Sequence, residues 1–245
     1  MDGLIRRRRL PHLDVDGATY FVTACLNGSV PACGLKALRD YRKELDSRER
    51  PSEFSESDWR MRNDKLYFAR MESWLDDKPA VKHFVHETAA DSVRDSLFHF
   101  VDKRYHLMAY CVMPSHLHLL FTPRPSWCDE VAEMNAKRVR EANARQPANQ
   151  PRFRSPREII MHSLKSFTGL QCNRLLGLSG TFWQDESYDH VVRDRDELFR
   201  IIGYIEQNPV KAGLVTDPLE WKWNSAVERI RRGLQLGDPL ILKQR

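Results

Sequence analysis

No two cysteines in this chain stand as Cys-x-x-Cys, and the five that occur, at positions 25, 33, 111, 128 and 172, are odd in number. That spacing excludes a disulfide scaffold and a zinc finger and points to a reduced, cytoplasmic protein. Long apolar runs are missing as well. The Arg-rich N-terminus is not followed by an apolar core of signal-peptide length, and no stretch approaches the roughly 20 apolar residues of a membrane span. A soluble intracellular chain without a membrane partner is expected. Internal repeats and low-complexity tracts are also lacking, which leaves solenoid and linker architectures aside.

What is present is charge. Asp, Glu, Lys and Arg make up 30% of the 245 residues, with a net charge of +5 and a pI near 9.0. This balance leans toward an anionic partner. Much of the excess is local: Arg6, Arg7, Arg8 and Arg9 form one run, and Arg124, Lys137, Arg138, Arg140, Arg145, Arg152, Arg154 and Arg157 crowd a second stretch. Either run also suits a merely solvated segment. The length suits one elaborated domain: a basic arm over 1–18, a body over 19–226 with an insertion at about 124–157, and a tail over 227–245.

Hydrophobic periodicity divides the body. Thr19 to Leu26 is rich in β-branched and aromatic residues and reads as a first strand. Apolar residues at helical spacing predict helices over Leu35 to Leu45, Trp59 to Leu75 and Pro79 to Phe100. Tyr105 to Met113 alternates, Pro114-Ser115 makes a turn, and the apolar run after it completes an antiparallel hairpin. From Pro123 to Arg157 the composition predicts a partly helical, partly flexible insertion. Glu158 to Leu176 resumes a helix closed by Gly177, and Thr181 to Trp183 and Asp189 to Val192 look extended. Asp194 followed by Glu197 is a capping box, and the helix it starts is expected to end by Asn208, because Pro209 disfavours helical geometry in the residue before it. The order predicts an α+β fold, an antiparallel sheet with helices packed on it.

The most informative segment is Tyr110-Cys-Val-Met-Pro-Ser-His-Leu-His-Leu-Leu-Phe121. Strand side chains alternate, so His116 and His118 project from one face while Leu117, Leu119 and Phe121 project from the other. The histidine face is then solvent or a site. Two imidazoles leave a divalent ion under-coordinated, and no third histidine or cysteine stands at zinc spacing, so an oxygen ligand is required. Far downstream, Tyr204 and Asn208 are four apart and share a helix face. Each has a plain alternative: Tyr204 as a core aromatic beside Leu198, Ile201, Ile202 and Ile205, Asn208 as the residue that ends a helix before proline.

With these segments in view, the chain resembles a REP-associated tyrosine transposase, within the single-tyrosine HUH transposases of the IS200-like superfamily. Met113-Pro-Ser-His116-Leu-His118-Leu-Leu120 is similar to that family's histidine-hydrophobe-histidine strand, and Tyr204-Ile-Glu-Gln-Asn208-Pro-Val-Lys-Ala-Gly213 to its tyrosine helix. Leu164 to Thr168, Leu175 to Gln184, Tyr188 to Arg193 and Trp221 to Ser225 also resemble it, with Asn224 where a serine is more usual. The resemblance runs from about Thr19 to Ala226. It implies a ferredoxin-like antiparallel sheet with the site on its exposed face, Tyr204 as nucleophile, and His116, His118 and Asn208 as ligands of Mg2+ or Mn2+. It further implies a 5′-phosphotyrosine intermediate on single-stranded DNA, with hairpin or palindromic repeats as partner and a nucleoid-associated location, as monomer or homodimer. Arg6 to Arg9 are the expected DNA-binding residues. Tyr188 is read as packing, since no amide follows it four residues on. Two rivals keep the scaffold: a non-catalytic nucleic-acid-binding protein, and a metal-dependent hydrolase in which water attacks the phosphodiester.

Overall fold

The computed structural model describes residues 4–7, 11–15, 17–145, 153–185 and 187–240. Its elements run β1 (Leu4–Arg7), β2 (Pro11–Asp14), β3 (Tyr20–Cys25), α1 (Ala32–Ser47), α2 (Glu56–Asp77), α3 (Glu87–His99), β4 (Tyr105–Val112), β5 (His116–Pro123), α4 (Pro125–Arg145), α5 (Pro156–Leu176), β6 (Tyr188–Val191), α6 (Arg195–Lys211) and α7 (Ser225–Arg232). The main sheet has four strands in the order β4-β5-β3-β6, every pair antiparallel. Counted along the chain, that order is second, third, first, fourth. It is the ferredoxin-like arrangement, in which two hairpin-joined strands and two crossovers interleave. The α+β expectation holds.

Alternation sorts the sheet into two buried faces. Val22, Ala24, Leu117, Leu119 and Phe121 pack against Ala89, Val93 and Leu97 of α3 and Ile160, Met161 and Leu164 of α5. On the opposite face Phe21, Ala109, Cys111 and Leu120 meet Ile202 and Ile205 of α6, while Cys25 meets Met71 and Leu75 of α2. The site face, expected to be exposed, is therefore covered. The physical reason lies in the residues flanking the histidines: with Phe21, Cys25, Ala109 and Leu120 on that face, leaving it wet would expose an apolar patch that two amphipathic helices remove from water.

The helix expected over Pro79 to Phe100 is shorter, Glu87–His99 after a 3-10 turn at His83–Val85, and the helical part expected of the insertion is present. Pro125 to Arg145 of the insertion is one continuous helix, and 146–152 lies outside the described residues. Helix α6 does not stop at Asn208 but runs through Pro209 to Lys211, where the Ala212 N–H closes the end on the Asn208 and Val210 carbonyls. Both Asn208 and Pro209 are buried, and tertiary packing outweighs the local penalty of the proline. In the arm, β1 pairs with β2. Elsewhere Asp194 accepts from the Glu197 N–H as expected, while the Glu197 carboxylate accepts from the Arg193 N–H and so does not complete a capping box, and Gly177 adopts φ 64° after α5. No helix of the described residues is long and apolar enough to cross a membrane.

The segment after 226 packs back on the body. Leu240 is buried and its N–H donates to the Leu107 carbonyl at 2.7 Å. Arg229 anchors this segment: its guanidinium donates to Glu206 Oε1 at 3.2 Å, to the Met108 carbonyl at 2.8 Å, and to the Gln235 and Asp238 carbonyls at 3.0 Å each. Removing one partner of a buried pair leaves the other uncompensated, so Arg229→Ala should lower stability by about 3–5 kcal/mol. Urea unfolding of the variant checks this; a midpoint equal to the wild type would contradict it.

Candidate metal and tyrosine site

Strand β5 lies between β4 and β3, so its histidines have a fixed frame on both sides. His116 is opposite Cys25 and His118 opposite Thr23. Each ring is held by its Nδ1: Ser115 Oγ lies 2.9 Å from His116 Nδ1, and Thr23 Oγ1 lies 2.8 Å from His118 Nδ1. Such outer hydrogen bonds fix ring orientation and leave Nε2 for a ligand. Both Nε2 atoms point at one spot, 3.0 Å apart. Two imidazole nitrogens bound at about 2.1 Å and at right angles to one ion would lie about 3.0 Å apart.

The third member comes from α2. Glu72 Oε2 lies 3.2 Å from His118 Nε2, and Glu72, His116 and His118 together form a buried group able to hold a metal ion. Burial works against the Glu72 carboxylate ionising, but the His118 charge and hydrogen bond outweigh it and hold the group down to about 2. Burial, reinforced by His118, lowers His116 to about 3. Glu72 ionised and His116 neutral are the protonation states that coordination requires of these two donors. Glu72 Oε1 has no hydrogen-bond partner among the described residues. An orphaned buried carboxylate oxygen beside two converging imidazole nitrogens fits a divalent cation with mixed nitrogen and oxygen preference.

Tyr204, on α6, closes the group from the other side. Its hydroxyl donates to Glu72 Oε2 at 2.5 Å, and its ring packs edge-on to His118 and to Phe21. Burial first, then the Glu72 charge, keeps the phenol protonated far above its ordinary range. Asn208 sits one turn further along α6, fully buried, and neither of its amide atoms has a hydrogen-bond partner among the described residues. The helix face expected for Tyr204 and Asn208 is the face turned to the sheet.

Of the residues named from sequence, His116, His118 and Tyr204 converge with Glu72, and Asn208 lies beside Tyr204. Arg6 and Arg7 are on β1, opposite His12 and Pro11, whereas Arg8 and Arg9 lie outside the described residues. Tyr188 stacks on Phe68 of α2, ring centroids 4.0 Å apart, as a packing residue would. Glu72 was not anticipated. Its signal was an acidic residue on the apolar stripe of α2, between Phe68, Met71 and Leu75, where an unpaired carboxylate would be costly.

Fold and site together define an α+β protein with a ferredoxin-like sheet and a buried Glu-His-His cluster in contact with a tyrosine. No family model matches the chain, and no curated protein matches it. Among solved structures it is similar to a REP-associated tyrosine transposase bound to a REP hairpin, at 15% identity, with a TM-score of 0.42, over 94% of this chain and 88% of that one.

Proposed function

We propose that this chain is a DNA transposase-like enzyme that nicks and rejoins single-stranded DNA through Tyr204. The observation that carries the reading is the convergence of the Tyr204 hydroxyl, the Glu72 carboxylate and both Nε2 atoms of His116 and His118 on one point of the sheet. A divalent cation, Mg2+ or Mn2+, held by Glu72, His116 and His118 would neutralise charge developing on the phosphate. Tyr204 supplies the nucleophile: its oxygen forms the bond to phosphorus while the bond to the 3′ oxygen breaks, leaving a 5′-phosphotyrosine and a free 3′-hydroxyl. Reversal by a 3′-hydroxyl rejoins strands without ATP. Asn208 is assigned to the same site, as the amide that steadies the tyrosine oxygen or the ion's shell.

The experiment is a denaturing gel with 5′- and 3′-labelled hairpin DNA bearing single-stranded flanks. A protein-linked DNA band that needs a divalent cation supports the reading, whereas free nicked products without one favour attack by water. Asn208→Ala should retain cleavage at a rate about 10- to 100-fold lower, since water can replace an amide oxygen in an outer position. A rate equal to the wild type would remove Asn208 from the site.

For the partner, the resemblance in the histidine strand and tyrosine helix suggests palindromic repeat hairpins. Arg6 to Arg9 are proposed as phosphate contacts. Each phosphate neutralised on a single strand steepens the log–log salt dependence by about 0.7, so replacing all four with alanine should reduce the slope by up to roughly 3. Titration across a salt series checks this, and superimposable slopes would reject the contacts.

A further inference from the structure

The three cluster residues are shut away from any polymer. His116 and His118 are 0% exposed and Glu72 is 1% exposed, so in this conformation no phosphodiester can reach the cluster they form, although Tyr204 beside it is only partly buried. Two helices make the cover. One of them, α6, is fixed: Asp194 caps it, and Glu206 on it is bound by Ser225 and Arg229. The other, α2, is attached differently.

We propose that α1 and α2 form a lid that swings off the sheet as a unit, while the strands and the other helices stay folded. The lid has a closed neck, because the Ala80 N–H donates to the Ser29 carbonyl at 2.8 Å, so the chain leaves and re-enters the body at one point. Within the lid the two helices are tied together. Arg42 pairs with Asp64 at 2.7 Å, Asn63 donates to the Leu45 carbonyl at 3.2 Å, and Trp74 fits against Gly34 so closely that a Cβ there would lie 2.9 Å from the indole. Across the gap Glu72 is held by Tyr204 and His118 within the site, and the Ser115 hydroxyl donates to the Leu75 carbonyl at 3.2 Å; the remaining polar ties are weak. Lys65 reaches Glu197 at 3.3 Å and Lys211 reaches Asp76 at 3.5 Å, with both lysine side chains about half exposed, the setting in which ion pairs contribute least. The apolar hold is Phe68, stacked on Tyr188 and edge-on to Phe21 and Tyr204, and a small cluster in which Met71 and Leu75 cover Cys25. Glu72 rides on the lid. Opening therefore withdraws the oxygen donor of the cluster, and closure over a strand restores it. The lid's purpose rests on the reading of Tyr204 as a nucleophile, but its existence does not.

Native cysteines report the motion. Cys25 is buried under α2, Cys111 on the α6 side and Cys172 within α5, and Cys33 is exposed. The folded full-length protein is treated with N-ethylmaleimide without DNA, and labelling of each cysteine is followed by mass spectrometry, each rate divided by that of the same thiol in urea. The lid predicts immediate labelling of Cys33, and labelling of Cys25 at least 10-fold faster than Cys111 and Cys172. Phe68→Ala should raise the Cys25 rate at least a further 10-fold and leave the other two buried thiols unchanged. If Cys25, Cys111 and Cys172 react together in the wild type, they are exposed by global unfolding and there is no lid. Should the variant fail to fold, all three rates rise at once and the wild-type ratio still decides. No activity enters the measurement, so an inert protein with a working lid and an active one without it give different results.

Discussion

Tyr204→Phe abolishes formation of the covalent protein–DNA band, a loss on the order of 10^4-fold or more, while the protein remains folded and still binds DNA. Only the hydroxyl is lost. The ring keeps its edge contacts with Phe21 and His118, and the one hydrogen bond removed, to the ionised Glu72 carboxylate, is worth about 1.5–3 kcal/mol net. A nucleophile has no substitute within the site, which is why its removal costs far more in rate than in stability. Tyr188→Phe is the matched control. That ring stacks on Phe68 as packing and has no amide four residues on, so cleavage should persist. Gel assays of both variants decide, and a Tyr204→Phe protein that still forms the adduct would remove the tyrosine from the account.

His118→Ala should be as severe, with cleavage falling by about 10^3-fold or more even at saturating cation. His118 touches every other member: its Nε2 lies 3.0 Å from His116 Nε2 and 3.2 Å from Glu72 Oε2. Without it one imidazole and one carboxylate remain, too few protein ligands to fix an ion's position. Titration with Mn2+, followed by calorimetry, gives a readout separate from activity. Binding should weaken at least 10-fold in the variant, and unchanged affinity would mean the cluster is not a metal site.

Much of the frame could be read before the structure. The alternation over Tyr105 to Phe121 gave the hairpin and placed both histidines on one face, because strand periodicity is local and exact. The start of the 195–211 helix was signalled by Asp194, whose side chain accepts from the Glu197 N–H, an equally local signal. What escaped was non-local. Glu72 joins the histidines from a helix far upstream, and no spacing rule links an acidic residue in α2 to a strand that follows α3. The covered site face escaped for the same reason, since periodicity shows that a helix has an apolar stripe and not which surface that stripe will meet. At Pro209 a sound local rule lost to burial: the backbone penalty is smaller than the gain from keeping Asn208 and Pro209 packed against the sheet. Asn224, standing where serine was the expected residue, proved to be a cap. Its side chain accepts from the Ala226 N–H and donates to the Glu206 carbonyl, both within reach of an amide.

The measurement that tests the central claim most directly is mass spectrometry of the trapped complex. After reaction with hairpin DNA and a divalent cation, digestion with nuclease and trypsin should yield the peptide Ile201 to Lys211 carrying a nucleotide esterified through its 5′-phosphate, with fragment ions placing the mass on Tyr204. Nicked DNA with no nucleotide on any peptide, or a nucleotide carried by Tyr188 instead, would contradict it.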